Sequence, residues 1–311
     1  MTVLTGFLGA GKTTCLNAFL GTPNAAGAAV VVNEFGAIDV DGAVLQGRVQ
    51  GGGEVLRLPN GCVCCEVQED LAGALLDLAA RAEVGRCIVE TTGLAEPGAI
   101  LRGLYHDPRL RKAARAELVL TVCAADRVCE QIDRFPESAR QIALADRIAL
   151  SKTDLVLAED AADARAAVAR LNPLAEIAAS GAHATLFAPL SGRRSVPDGD
   201  GHNGGHAPHP HSHGIAGFFV PLDGALDRDM FRDAMSFLIL RHADNLLRAK
   251  GVVRFVGDAR AHLINIVHDV HDARPTDART ASGLVFIGQG LPKAEIRTDL
   301  QACLRSVPAT A

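Results

Sequence analysis

The sequence contains no tryptophan, a single tyrosine (Tyr105) and only three methionines, and aromatic residues occupy 4% of its 311 positions. So sparse an aromatic complement disfavours a surface on which successive nucleic-acid bases stack. Positive charge is not in excess either. Lysine and arginine number 31 against 36 acidic residues, the net charge is −5, and no basic stripe runs along the chain, so nucleic acid is not an expected partner. Long apolar runs are also missing. A membrane-spanning helix needs about 20 consecutive apolar residues, and no stretch approaches that. Nothing at the N-terminus resembles a secretion signal, so a cytoplasmic protein off the membrane is expected. Cysteines in that compartment stay reduced, which makes clustered thiols metal ligands or redox groups rather than disulfides.

What is present begins almost at once. Gly6-Phe7-Leu8-Gly9-Ala10-Gly11-Lys12-Thr13-Thr14 fits the phosphate-loop pattern, with four residues between Gly6 and Gly11 and then Lys12-Thr13. An apolar run at Val3-Leu4 precedes it and a helical stretch over 15–20 follows, which is the context the motif requires. Glycines let the backbone curl so that successive N–H groups face a phosphate, and the helix adds the positive end of its dipole. Lys12 then reaches the outer phosphates and the Thr13 hydroxyl is a magnesium ligand. A nucleoside triphosphate is the expected ligand.

Apolar strand-like runs at 28–32, 54–58, 86–89, 118–123 and 147–150 alternate with helical stretches such as 71–82 and 161–171. This alternation predicts an α/β fold, a P-loop NTPase with a mostly parallel, helix-covered sheet. Residues 191–214 are rich in Gly, Pro, Asp, Asn and His and read as an exposed linker. Beyond them, strand-like runs at 217–222, 252–256, 262–270 and 284–287 accompany helices at 228–241 and from 293 to about 304. The division is therefore a nucleotide-binding domain over 1–190, a linker over 191–214, and a smaller C-terminal α+β domain with a mainly antiparallel sheet over 215–311.

Further motifs follow the predicted strands, where ligand loops of such sheets lie. Glu90-Thr91-Thr92-Gly93 stands where an acidic residue holds magnesium and a glycine amide senses the γ-phosphate. Ser151-Lys152-Thr153-Asp154 offers a carboxylate for the N1–H and exocyclic amine of guanine, groups adenine does not present, and favours GTP over ATP. The usual guanine motif begins with Asn, and here the residue is Ser151. Asn60-Gly61 marks a turn that leads into Cys62-Val63-Cys64-Cys65. Three thiols in four residues suit a soft or borderline ion such as zinc or copper(I), with a fourth donor from elsewhere; a redox pair is the rival chemistry. Cys15, Cys87, Cys123, Cys129 and Cys303 are isolated and read as core or helix-face residues. His202, His206, His209, His211 and His213 in the linker form a loose accessory metal-binding tract, or else belong to a solvated spacer.

Taken together, Gly6–Thr14, Asn33-Glu34-Phe35-Gly36, Gly61–Cys65, Glu90–Pro97 and Ser151–Asp154 resemble the CobW family of P-loop GTPases, relatives of the HypB and UreG metallochaperones. The histidine linker and the Lys250-Gly251 strand entry match the same layout, so the resemblance covers nearly the whole chain. It implies a GTPase that uses GTP and magnesium and delivers a metal ion, zinc or cobalt, to a client metalloprotein. It also implies that Asn33–Gly36 is a first switch and that Cys62, Cys64 and Cys65 form a metal site between the switches, with Glu34 at the metal or at the nucleotide. The chain departs from many relatives at Ala37, where an acidic residue is usual.

The resemblance and the motifs give a nucleotide-gated metal carrier. Lys12, Thr13 and Glu90 act on the transferring phosphate, Gly6, Gly9, Ala10, Gly11, Thr14 and Gly93 line the phosphates, and Ser151, Lys152 and Asp154 face the base. No residue is evident that positions the attacking water, so slow intrinsic turnover is expected. A nucleotide-dependent homodimer is one arrangement open to it. A non-enzymatic metal buffer or sensor would instead bind metal with negligible hydrolysis, and a redox-controlled P-loop NTPase would prefer ATP and respond to oxidants.

Overall fold

The structure, a computed structural model, describes residues 1–32, 54–57, 66–179, 181, 183–190, 213–277 and 282–305. They fall into two compact units, one within 1–190 and the other carrying the C-terminal sheet. The first unit contains, in order, β1 (Thr2–Thr5), α1 (Lys12–Leu20), β2 (Ala28–Val32), β3 (Glu54–Arg57), α2 (Glu66–Ala79), β4 (Arg86–Glu90), α3 (Pro97–His106) and α4 (Pro108–Ala113). It continues with β5 (Leu118–Ala124), α5 (Val128–Arg134), α6 (Pro136–Ala143), β6 (Arg147–Ser151), α7 (Ala158–Leu171), β7 (Glu176–Ala179) and α8 (His183–Leu186). The strands form one sheet in the order β3-β2-β4-β1-β5-β6-β7, and every pairing in it is parallel.

Parallel strands covered on both faces read as continuous apolar runs, and the fate of alternate side chains shows why. In β2, Val30 and Val32 join Leu4, Leu120, Val122 and the α1 residues Leu16 and Phe19 on one face. Ala29 and Val31 join Val89 with Leu71, Leu75 and Leu78 of α2 and Leu104 of α3 on the other. The carboxyl ends of β1, β4 and β6 thereby bring residues 6–14, 90–93 and 151–154 to one edge of the sheet.

The second unit carries β8 (Ile215–Pro221), β9 (Ala225–Leu226), α9 (Arg228–Arg241), β10 (Leu246–Phe255), β11 (Ala261–Val267), β12 (Val270–Thr276), β13 (Gly283–Gln289), α10 (Lys293–Gln301) and β14 (Leu304–Arg305). Strands β12-β11-β10-β13-β8 pair antiparallel, while β9 runs parallel to β10. Its core sets Phe231, Met235 and Leu238 of α9 and Ile296 and Leu300 of α10 against Val253, Ile264, Ile266 and Phe286 of the sheet. Asp227 caps α9 by accepting from the backbone N–H groups of Asp229 and Met230 at 3.1 and 3.0 Å. The run predicted as one strand over 262–270 is a hairpin, because His268 turns the chain with φ +53° between β11 and β12. No helix among the described residues is long and apolar enough to cross a membrane.

Candidate functional site

The phosphate loop is shaped by two glycines that no other residue replaces easily. Gly6 has φ +144° and a Cβ there would lie 2.2 Å from the Val122 carbonyl oxygen of β5, so the loop leaves β1 in van der Waals contact with its neighbour. Gly11, with φ +92°, caps α1 in the left-handed region and turns the loop into the helix. The first N–H groups of α1 have no partner inside the helix and carry the positive end of its dipole, which is the donor set an anion requires. The Lys12 ammonium donates to the carbonyl oxygens of Gly6 at 2.9 Å and Phe7 at 3.3 Å, so its charge is folded over the same loop.

Thr13 Oγ1 donates to Glu90 Oε1 at 2.8 Å, joining the first turn of α1 to the end of β4 across 77 residues of sequence. Glu90 is 5% exposed. Adjacent oxygen ligands of octahedral magnesium, with metal–oxygen distances of about 2.0–2.1 Å, stand about 2.9 Å apart, so this pair is spaced as two such ligands. Both are hard oxygen donors, which suits that ion. Thr91 Oγ1 donates to Thr5 Oγ1 at 2.9 Å and fixes the neighbouring strand ends to each other. Gly93 lies against the phosphate loop: a Cβ on it would stand 2.8 Å from the Leu8 backbone nitrogen.

Ser151 explains itself by its contacts. Its Oγ sits between the carbonyl oxygens of Ala10 at 2.6 Å and Cys123 at 3.3 Å, tying the phosphate loop to the end of β6. Lys152 adopts φ +56°, and its ammonium is 3.9 Å from Asp126 Oδ2. Asp154 follows on a single 3₁₀ turn, Thr153–Leu155, and is exposed. Asp126, just past β5, was not singled out by sequence because its proximity to Lys152 depends on the pairing of β5 with β6. Gln141 and Phe135 were missed for a similar reason. Gln141 Nε2 donates to the carbonyl oxygens of Gly93 at 3.1 Å and Ala95 at 2.9 Å, and Phe135 packs on Phe7 with ring centroids 4.7 Å apart.

Three of the isolated thiols lie where burial disfavours the thiolate. Burial pushes Cys15 and Cys123 up to about 12 and Cys87 up to about 11, with Glu90 adding to the effect on Cys15. Cys15, Cys123 and Cys303 are buried, whereas Cys129 is exposed on α5. Cys62, Cys64 and Cys65, the segment 33–41 and His202, His206, His209 and His211 lie outside the described residues. His213 is described, in a turn with φ +49° just before β8. Among the described residues no three His, Cys, Asp or Glu side chains converge as metal ligands.

The sequence matches the family description "CobW/HypB/UreG, nucleotide-binding domain" over residues 1–179, and "Cobalamin synthesis protein cobW C-terminal domain" over residues 215–304. The chain belongs to the CobW/HypB/UreG family. The zinc chaperone YjiA of Escherichia coli K12 is 32% identical over 319 residues that cover 96% of each chain. The zinc chaperone CobW of Pseudomonas aeruginosa is 30% identical, covering 98% of this chain and 91% of the relative. The crystal structure of the Zn(II)-bound YjiA GTPase from E. coli superposes with a TM-score of 0.70 at 27% identity, over 98% of both chains. A triple variant of that protein, with one glutamate and two cysteines replaced by alanine, is likewise Zn(II)-bound. Membership of the CobW family thus agrees with the sequence reading, as does a parallel P-loop sheet joined to a C-terminal unit built on an antiparallel one.

Proposed function

We propose that this chain is a GTPase that carries zinc to a client metalloprotein and releases it under nucleotide control. The Thr13–Glu90 pair at 2.8 Å, beside a phosphate loop with Lys12 folded over it, carries the reading, because it joins the two motifs that hydrolysis of a magnesium nucleotide needs. The names of the relatives support the cargo: two are zinc chaperones and the solved one is a Zn(II)-bound GTPase.

In this reading residues 1–190 are the GTPase domain, 191–214 the histidine-rich linker and 215–311 the C-terminal domain. Gly6, Gly9, Ala10, Gly11, Lys12, Thr13, Thr14 and Gly93 hold the phosphates. Ser151 tethers the loop and Lys152 with Asp154 faces guanine. Thr13 and Glu90 would hold magnesium, which would supply charge neutralisation to the transferring phosphate. Zinc, with cobalt the next candidate, binds the thiolates of Cys62, Cys64 and Cys65, and His206, His209, His211 and His213 serve as weak accessory donors. GTP orders the segments around 33–41 and 90–93 that flank the thiols; hydrolysis relaxes them and frees the metal. Linkage requires that zinc tighten GTP binding by the factor by which GTP tightens zinc.

Turnover tests the enzymatic half. Magnesium-dependent GTP hydrolysis is expected, at least tenfold preferred over ATP, and Lys12→Ala and Glu90→Gln should each reduce it by roughly 100-fold or more. Hydrolysis of ATP and GTP at equal rates, or rates untouched by both substitutions, contradicts the assignment.

A further inference from the structure

Helix α6 and the residue before it touch the phosphate-sensing segments at three points, through side chains that belong to no recognised motif. Phe135, the residue before the helix, packs on Phe7 of the phosphate loop. Arg140 Nη1 donates to Glu96 Oε2 at 3.4 Å. Gln141, 1% exposed, sends both N–H bonds of its side-chain amide to backbone carbonyls of the segment after β4, Gly93 at 3.1 Å and Ala95 at 2.9 Å. Gln141 is itself anchored, because its own carbonyl accepts from Thr121 Oγ1 of β5 at 2.9 Å.

The orientation of that amide is informative. Both partners are acceptors, so only a donor fits, while Oε1 is buried and accepts no hydrogen bond among the described residues. A buried amide that uses one end adds little net stability, since the desolvated acceptor offsets what the donors gain. Core stabilisation therefore does not account for a glutamine here; the backbone its donors hold does. That backbone carries Gly93, which on its other contacts meets Leu8 of the phosphate loop.

We propose that Gln141 is a positioning residue for the γ-phosphate. By fixing the carbonyls of Gly93 and Ala95 it sets the Gly93 amide at the phosphate loop before nucleotide arrives, so that α6 links the base-side half of the sheet to the state of the nucleotide. The proposal rests on the GTPase reading above and assigns the residue that makes the γ-phosphate, rather than the nucleotide as a whole, the thing sensed.

The test uses the full chain with magnesium, comparing equilibrium binding of GTPγS and GDP and steady-state GTP hydrolysis. Gln141→Met keeps the volume and removes both donors together with the buried side-chain acceptor Oε1. It should weaken GTPγS roughly tenfold, the loss of about one to two net hydrogen bonds, leave GDP within about twofold, and lower kcat. Gln141→Glu supplies one donor when protonated and none when ionised. Its GTPγS-to-GDP affinity ratio should fall as pH rises, whereas the wild-type ratio stays level, and a purely structural role would not produce that profile. Unchanged GTPγS binding in both variants overturns the proposal, as does a parallel loss of GTPγS and GDP. If Gln141→Met does not fold, the pH series of Gln141→Glu decides. A wild-type chain that binds neither nucleotide fails at the first step and refutes the GTPase reading along with the proposal.

Discussion

Replacing Gly93 by alanine isolates the γ-phosphate from the rest of the nucleotide. The added methyl would stand 2.5 Å from Leu8 Cδ2 and 2.8 Å from both Leu8 Cγ and the Leu8 backbone nitrogen. The Leu8 side chain is 55% exposed and can swing aside at little cost. Its backbone cannot, because the Phe7 carbonyl before it accepts from Ala10 N at 3.2 Å and from Lys12. The segment carrying residue 93 must instead retreat. Moving from 2.8 Å to the 3.4 Å of an ordinary contact requires 3.4 − 2.8 = 0.6 Å. A hydrogen bond of about 2.9 Å stretched by that amount reaches about 3.5 Å, the limit at which it ceases to count as one. Misplacement on this scale is expected to weaken GTPγS roughly tenfold and to lower kcat by about 100-fold. GDP, which lacks the γ-phosphate, should bind within about twofold of wild type. Fluorescent-nucleotide titration and steady-state turnover measure all three. Equal losses for GTPγS and GDP would mean that the phosphate loop itself was damaged, and wild-type values throughout would remove Gly93 from the site; either refutes the reasoning.

Other perturbations separate the remaining roles. Ser151→Ala removes the donor shared between the Ala10 and Cys123 carbonyls. It should cost about 1–2 kcal/mol in urea unfolding and weaken GTP and GDP together, with base preference kept; a collapse of guanine over adenine selectivity would instead make Ser151 a base reader. Gly6→Ala forces a side chain into a φ of +144° with its Cβ 2.2 Å from a backbone oxygen. A loss of about 3 kcal/mol or more is expected from chemical denaturation, and a loss below about 1 kcal/mol would contradict the close approach of β1 and β5. Cys15 and Cys123 ionise near 12 and Cys87 near 11 in the folded chain, against 9.0 for an exposed thiol. Folding thus favours the protonated thiol: its contribution is intact below pH 9 and is lost as pH rises through the folded values. Each thiol lowers stability by up to about 1.4 kcal/mol per pH unit in that window, so the urea midpoint should fall between pH 8.5 and 10.5, more gently in Cys123→Ala. A flat midpoint would show that these thiols ionise normally.

Much of the fold was legible because its signals are local. The five apolar runs of the first unit became β2 to β6 with no end shifted by more than one residue, and 228–241 became α9, which Asp227 caps. The elements missed are those with weak local signals. Helices α5 and α6 span seven and eight residues, too short for a clear 3.6-residue period, and meet at Phe135-Pro136. Strand β10 runs from Leu246, but Arg248 and Lys250 interrupt its apolar pattern, so the expected run began only at 252. The motifs proposed to handle phosphate could be picked out from spacing alone, since their residues lie a few positions apart. Gln141, Phe135 and Asp126 could not, because each acts on a partner brought near by strand order, Gln141 on residues 46 and 48 positions away. Ser151 shows the converse: a departure from the usual motif residue became intelligible only when its hydroxyl was seen to hold the phosphate loop.

The central claim is that metal affinity depends on the nucleotide, and zinc affinity measured by competition with a chromophoric chelator tests it most directly. The titration is run on the full chain with magnesium and either GTPγS or GDP, and repeated with cobalt and with Cys62→Ser, Cys64→Ser and Cys65→Ser. The account predicts zinc affinities at least about tenfold apart in the two nucleotide states, the equivalent of about 1.4 kcal/mol of coupling, and loss of that difference in each serine variant. Identical zinc affinities with GTPγS and GDP, or a difference that survives removal of the thiols, would contradict it.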